Sequence, residues 1–246
     1  MMNFVVRTQE QVREKYDLIT NLLDIQVANN ILESSSTTAK LAVNPVDTNY
    51  GQLRCHINQL QSSSPTYQMI ERYLHATQEH LRLDIVDCFE VERFGESAVY
   101  NPNNLGNKKL LWHGSRFSNF VGILSQGMRI APPEAPIAGH LFGKGVYFAD
   151  LIGKSFGYAR PEISNGIGTF VLCEVACGTP RPLNYPDYYA SSLPAGCHST
   201  HAVGVRRPKP SGSEWFEGDI EVPMGQVEDY PSGGMGCNEF VVYNTN

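Results

Sequence analysis

Residues 108–120 read KKLLWHGSRFSNF, and this stretch decides the fold. Leu110-Leu111-Trp112 is a short apolar run of the kind that forms a buried strand. It ends at once in His113-Gly114-Ser115. On these three residues alone, a core histidine followed by a turn and the wall of a pocket both remain open. A glycine there lets a ligand or a second backbone approach closely, because it has no Cβ. Its amide and carbonyl are then free to pair with a planar carboxamide, and Ser115 adds a hydroxyl donor and acceptor.

Further strands flank this one. IGTFVLCEVACG (167–178) and NEFVVYN (238–244) are apolar and rich in β-branched residues, and LRLDIVDCFEVERF (81–94) partly alternates. Upstream the texture is helical. Val12, Tyr16, Ile19, Leu23 and Val27 fall at helical spacing and predict an amphipathic helix over 11–32. ESSSTTAK (33–40) is a polar break and a domain boundary. Ser64-Pro65 is an N-cap followed by Pro at the first helical position, opening a helix through about His80. A short helix is expected from Ser118 as N-cap to Gly127 as stop. The expected class is therefore α+β, a helical N-terminal part followed by a mostly antiparallel sheet with long loops. The loop at 128–145 is too long for a simple connection, and loops of that length usually carry function.

The bulk properties agree. The chain has 246 residues, 41% apolar and 18% charged, which suits one large domain or one domain with an appendage. A net charge of −6 does not advertise nucleic-acid binding. The basic run Arg206-Arg207-Pro208-Lys209 reads as a solvated loop or a binding patch. No apolar run reaches the ~18 residues of a membrane helix, and the first residues lack the basic start of a signal peptide. The six cysteines form no CxxC pair, so reduced thiols in an intracellular protein are expected and no metal site.

Three more segments carry candidate chemistry. GKGVYFAD (143–150) fails the phosphate-loop pattern, since Ala138 stands where that pattern needs glycine and Gly145 where it needs Ser or Thr. It reads as a glycine turn into a short strand bearing Tyr147, with Asp150 capping the helical turn LIGKSFGYA. On that turn Lys154 and Ser155 share a face with Tyr158, which suits an aromatic, phosphate-bearing ligand or a plain surface helix. Glu239 opens the last strand. Taken alone, its strand-end position would put the carboxylate in solvent.

Together, LLWHGSRFSNFVGILSQGMRIAPPEAP, FGKGVYFAD, KSFGYA and NEFVVYN resemble the catalytic region of the DNA-damage-responsive poly(ADP-ribose) polymerases, in order and in approximate spacing. NLLDIQVANNIL and NPVDTNYGQL extend the resemblance back to about residue 12. It implies a split-β ADP-ribosyltransferase fold over 41–246, preceded in 1–40 by the last helix of a helical regulatory domain. It also implies a nuclear enzyme that cleaves NAD between nicotinamide and ribose and passes ADP-ribose to protein acceptors and growing chains. By motif, Gly114 and Ser115 hold the carboxamide, Tyr158 stacks on the nicotinamide with Tyr147 opposite, and His113 binds a hydroxyl of the adenine-side ribose. Arg129, Asn119 and Asp24 belong to the adenosine pocket, and Lys154 and Ser155 complete the donor site. Glu239 matches the catalytic glutamate: a carboxylate stabilises an oxocarbenium-like ribose and polarises the acceptor hydroxyl. The triad His113, Tyr147 and Glu239 is associated with polymer formation, and mono-transferring relatives usually lack the glutamate. Mono-transfer and an inactive NAD-binding module are the competing readings, and an accessory protein completing the site is compatible with the pattern. The resemblance includes no DNA-binding module and only one regulatory helix, so activity without DNA is expected. The family usually has one more strand after the glutamate strand; without it, a sheet edge is expected to be exposed.

Overall fold

The computed structural model describes residues 6–37, 44–100, 102, 105–131 and 140–245. Helix α1 (Gln9–Thr37) and helix α2 (Pro45–Leu53) pack on each other, and strand β1 (Cys55–Gln59) follows. Helix α3 (Pro65–Thr77) starts as its sequence dictates: Ser64 Oγ accepts the Tyr67 amide and Pro65 stands in the first turn. Strand β2 (Phe89–Arg93), helix α4 (Glu96–Val99), strand β3 (Lys108–Ser115) and helix α5 (Phe120–Gln126) come next. Strand β4 (Val146–Phe148) leads into helix α6 (Ile152–Ala159). The remaining strands are β5 (Thr169–Ala176), β6 (Pro180–Leu183), β7 (Ser199–Ala202), β8 (Gly204–Pro208), β9 (Glu214–Phe216), β10 (Ile220–Val222), β11 (Val227–Asp229), β12 (Met235–Cys237) and β13 (Glu239–Val242).

Two four-stranded sheets form the body. One has the order β5-β3-β10-β9 and the other β4-β13-β7-β6. A three-stranded sheet, β11-β8-β12, and the pair β1-β2 complete the set among the described residues. Pairing is antiparallel except for β10 on β3, β12 on β8 and β6 on β7. The sheets touch where β3 meets β4: the Trp112 amide donates to the Ala149 carbonyl at 2.8 Å, and the Ala149 amide returns the bond at 2.9 Å. The class is α+β with a split sheet, as expected.

The core is built around that junction. Tyr73 of α3 is fully buried against Trp112, with ring centroids 5.0 Å apart, amid Leu74, Leu110, Ile152 and Val222. Leu111, Val146, Phe148 and Phe240 fill the space between the sheets. Burying such side chains is worth about 1.5–3 kcal/mol each.

Several local expectations need correction. α1 runs on through Thr37, because ESSST holds neither Gly nor Pro to stop it. The boundary at residue 40 lies outside the described residues, as does 132–139 of the long loop. α1 does not present one apolar stripe. Ile19 and Leu23 are exposed, as are Leu18, Leu22 and Ile25, so its apolar residues lie all round, the pattern of a helix made to be covered on several sides. Residues 81–88 are irregular and only Phe89–Arg93 form the strand, where the partner β1 exists. Ser118 does not cap α5. A 3-10 turn at Phe117–Asn119 precedes the helix, and the Ser118 hydroxyl donates to Asn119 instead. The basic run is strand β8 rather than a loop, with Arg206 paired to Glu79 and Asp229 and Arg207 to Glu228. The glutamate strand β13 is flanked by β4 and β7.

Candidate active site

The first wall of the site is the end of β3. His113 Nδ1 lies 2.9 Å from the Tyr147 carbonyl, which can only accept, so Nδ1 carries the proton. Burial holds the His113 pKa below its ordinary value, offset in part by that bond, and the ring is neutral with Nε2 left as an acceptor. Gly114 is where backbone meets backbone: a Cβ there would stand 2.1 Å from the Ser155 carbonyl oxygen. Ser155 of α6 is buried and its hydroxyl donates to the Trp112 carbonyl at 3.2 Å, which clasps α6 to β3. Ser115 Oγ accepts from Asn119 Nδ2 at 3.0 Å, so Asn119 orients Ser115.

The second wall is β4 and β13. Val241 pairs with Tyr147, and side chains alternate along a strand, so Glu239 and Tyr147 share one face as diagonal neighbours. Tyr147 is pinned: its hydroxyl donates to the Gly143 carbonyl at 2.7 Å and accepts the Phe142 amide at 3.0 Å. Burial raises its pKa, so it remains a phenol. Gly145 has no room for a side chain, since a Cβ would sit 2.6 Å from Val241 and 2.7 Å from the Val242 carbonyl. The glycine turn therefore lets β4 lie against β13.

Glu239 is buried, at 6% exposure, and so does not sit in solvent as its strand-end position alone implied. Its partner is Lys154 Nζ at 3.0 Å. Burial disfavours the Lys154 ammonium, but Glu239 and Tyr158 outweigh this and its pKa is raised. Tyr158, on the same face of α6, is 52% exposed and presents its ring. The site thus has a neutral imidazole acceptor, a glycine packed on α6, an available aromatic face and an ion-paired carboxylate.

Of the adenosine-pocket candidates, Asn119 stands beside Ser115. Arg129 is exposed just beyond α5. Asp24 lies on α1, which packs against α5 and the turn bearing Asn119, but its side chain is outside the described residues.

Residues 64–246 match the family described as "Poly(ADP-ribose) polymerase catalytic domain". The chain belongs to this family. Residues 1–50 match its companion, "Poly(ADP-ribose) polymerase, regulatory domain". Poly [ADP-ribose] polymerase 2-A of Oryza sativa subsp. japonica is 40% identical over 100% of this chain and 38% of its own length. Poly [ADP-ribose] polymerase 2 of Arabidopsis thaliana is 39% identical over 99% and 39%. Poly [ADP-ribose] polymerase 1 of Gallus gallus is 40% identical over 96% and 24%. The chain therefore spans well under half the length of these relatives.

Sequence reasoning missed two residues. Asp150 does not cap α6, whose first turn has no side-chain cap. It is buried and its Oδ2 accepts from Asn238 Nδ2 at 2.7 Å. Asn238 directly precedes Glu239 and is also buried. The available signal was an amide beside an acid at the head of an otherwise apolar strand.

Proposed function

We propose that this chain is an NAD-dependent protein poly(ADP-ribosyl)transferase. It cleaves the bond between nicotinamide and ribose and transfers ADP-ribose to protein acceptors and to growing ADP-ribose chains. The observation that carries this reading is Glu239, a buried carboxylate ion-paired to Lys154 on the Tyr147 face of β13, with His113 bonded to the Tyr147 carbonyl.

Each group has a task. The Gly114 main chain and Ser115 hold the carboxamide, and the nicotinamide ring lies between Tyr158 and Tyr147. Ser155 and Lys154 line the donor site from α6, and His113 Nε2 accepts a ribose hydroxyl. Asn119, Arg129 and Asp24 form the adenosine side. As the C–N bond breaks, its electron pair leaves with neutral nicotinamide, and the ribose carbon becomes oxocarbenium-like. The Glu239 carboxylate stabilises that charge. It then polarises the acceptor hydroxyl, whose oxygen closes on the ribose carbon as its proton is lost. The regulatory helix is assigned to residues 1–40 and the catalytic domain to 41–246, in a nuclear protein of the DNA-damage response. These residues need no metal and no DNA for the reaction.

The test is a gel of the purified chain with radiolabelled NAD, with and without broken DNA, beside Glu239→Gln. A high-molecular-weight smear, independent of DNA and lost in the variant, is expected. A single sharp band means mono-transfer, no label means an inactive NAD-binding module, and a severalfold rise with DNA refutes independence.

A further inference from the structure

The residue before the carboxylate is held on three sides. Asn238 Nδ2 donates to Asp150 Oδ2 at 2.7 Å, and its Oδ1 accepts the Gly204 amide at 2.9 Å. The third hold is steric: a Cβ on Gly204 would stand 2.2 Å from the Cys237 carbonyl carbon and 2.3 Å from the Asn238 nitrogen, so β8 presses directly on the peptide leading into Asn238. Asp150 sits between β4 and α6, the helix that carries Lys154, Ser155 and Tyr158. The α6 end of this link is fixed by the main chain: the Tyr73 hydroxyl shares its proton between the Asp150 and Leu110 carbonyls, each at 3.2 Å, and Ala149 is paired with Trp112. The carboxyl of Asp150 reaches toward Asn238 and its own backbone amide. Its other oxygen, Oδ1, is buried with no hydrogen-bond partner among the described residues. A buried carboxyl left half-satisfied is costly, and a surface cap would serve α6 at no such cost.

We propose that Asp150 is a positioning residue: through Asn238 it sets where Glu239 stands relative to the nicotinamide clamp on α6. This rests on the transferase reading above. Charged and titratable groups around Asp150 and Asn238 are Lys109 of β3, Glu221 of β10, Tyr73 of α3, Cys237 of β12 and, against Asn238 itself, His201 of β7. Lys109 is committed to Glu221, which leaves Asn238 as the side-chain donor to the carboxyl. Burial pushes Asp150 up to about 7, with Asn238 opposing, so the contact titrates near neutrality.

The experiment is steady-state nicotinamide release by Asp150→Ala, Asn238→Ala and Asp150→Asn, each alone and combined with Glu239→Gln. The two alanine variants are expected to lose about tenfold to hundredfold in kcat, with KM for NAD within about twofold, since misplacement by about 1 Å costs on that order. Asp150→Asn keeps an acceptor for Asn238 and is expected to recover most of the loss. In the Glu239→Gln background Asp150→Ala is expected to have no further effect. A parallel fall in kcat and a rise in KM, or an undiminished loss in that background, overturns the proposal. A second readout does not depend on catalysis. The Asn238 side-chain amide resonances are expected to shift with pH around neutrality in the wild type and to lose that step in Asp150→Asn, with His201, whose pKa burial lowers, moving them only at more acid pH. The Glu239 backbone amide is expected to move in Asp150→Ala while that of Tyr158 stays. Resonances that do not follow this pattern refute the link, whether or not the chain releases nicotinamide. Absence of nicotinamide release with the pattern intact refutes the transferase reading and leaves the link standing.

Discussion

Gly114→Ala is the sharpest test of how the site is built. The added methyl would lie 2.1 Å from the Ser155 carbonyl oxygen and 2.9 Å from its carbon. A carbon meets a carbonyl oxygen at roughly 3.3 Å, so the deficit is about 1 Å. The obstacle is backbone and cannot swing aside. Nor can the helix slide freely, because Ser155 is buried and bonded to the Trp112 carbonyl. β3 and α6 must therefore part, carrying Tyr158 and Lys154 away from His113. Overpacking of this kind costs about 1–3 kcal/mol, and a displacement of about 1 Å at reacting groups costs roughly a hundredfold in rate. The assay is kcat/KM for nicotinamide release, read beside urea unfolding. Gly157→Ala is the control on the same helix. Nothing lies within 4 Å of its added methyl, and removing a mid-helix glycine is expected to stabilise by about 0.5–1 kcal/mol. Gly114→Ala with kcat/KM within threefold of wild type would refute the reasoning.

Tyr147→Phe keeps the ring but strands the Phe142 amide and the Gly143 carbonyl; a loss of about 1–3 kcal/mol is expected in urea unfolding, and an unchanged midpoint would count against the assigned bonds. Because burial lowers the His113 pKa, kcat/KM is expected to hold flat down to about pH 6.5 and to fall only below it, as Nε2 gains a proton and ceases to accept. A decline already between pH 8 and 7 would contradict this. Asp150 binds its proton more tightly folded, at about 7, than at its ordinary value of 3.8, so stability falls as pH rises through that window. Asp150→Asn removes the slope, and its gain over wild type is expected to grow from pH 4 to pH 8 by up to about 4 kcal/mol. Parallel unfolding free energies across that range would show that Asp150 is not the group responsible.

Much of the site could be read because its strands announce themselves locally. Leu110-Leu111-Trp112 and Phe240-Val241 are buried apolar runs, and the polar residues that flank them, His113 and Glu239, are the candidates. Ser64-Pro65 capped its helix as its chemistry requires. What could not be read depended on partners distant in sequence. The ion-pair partner of Glu239, Lys154, enters from 85 residues upstream, where no local rule finds it. The apolar residues of α1 follow helical spacing, yet which of them are covered depends on neighbours that the period does not name.

Asp150 is the instructive failure. Local rules make an Asp two residues before a helix a cap, and an N-terminal cap is worth about 1 kcal/mol. The chain instead buries the carboxyl beside Asn238, at a cost in stability above neutral pH. Where a sequence departs from the cheaper local solution, a compensating gain is expected at a functional site. The Cys237–Asn238 peptide is already gripped by Gly204, so the added bond does little for the fold that a packed apolar pair would not do better. What an apolar pair could not supply is direction. A hydrogen bond from Asn238 to the base of α6 ties the strand that bears the carboxylate to the helix that bears the aromatic clamp, two elements that no strand pairing joins.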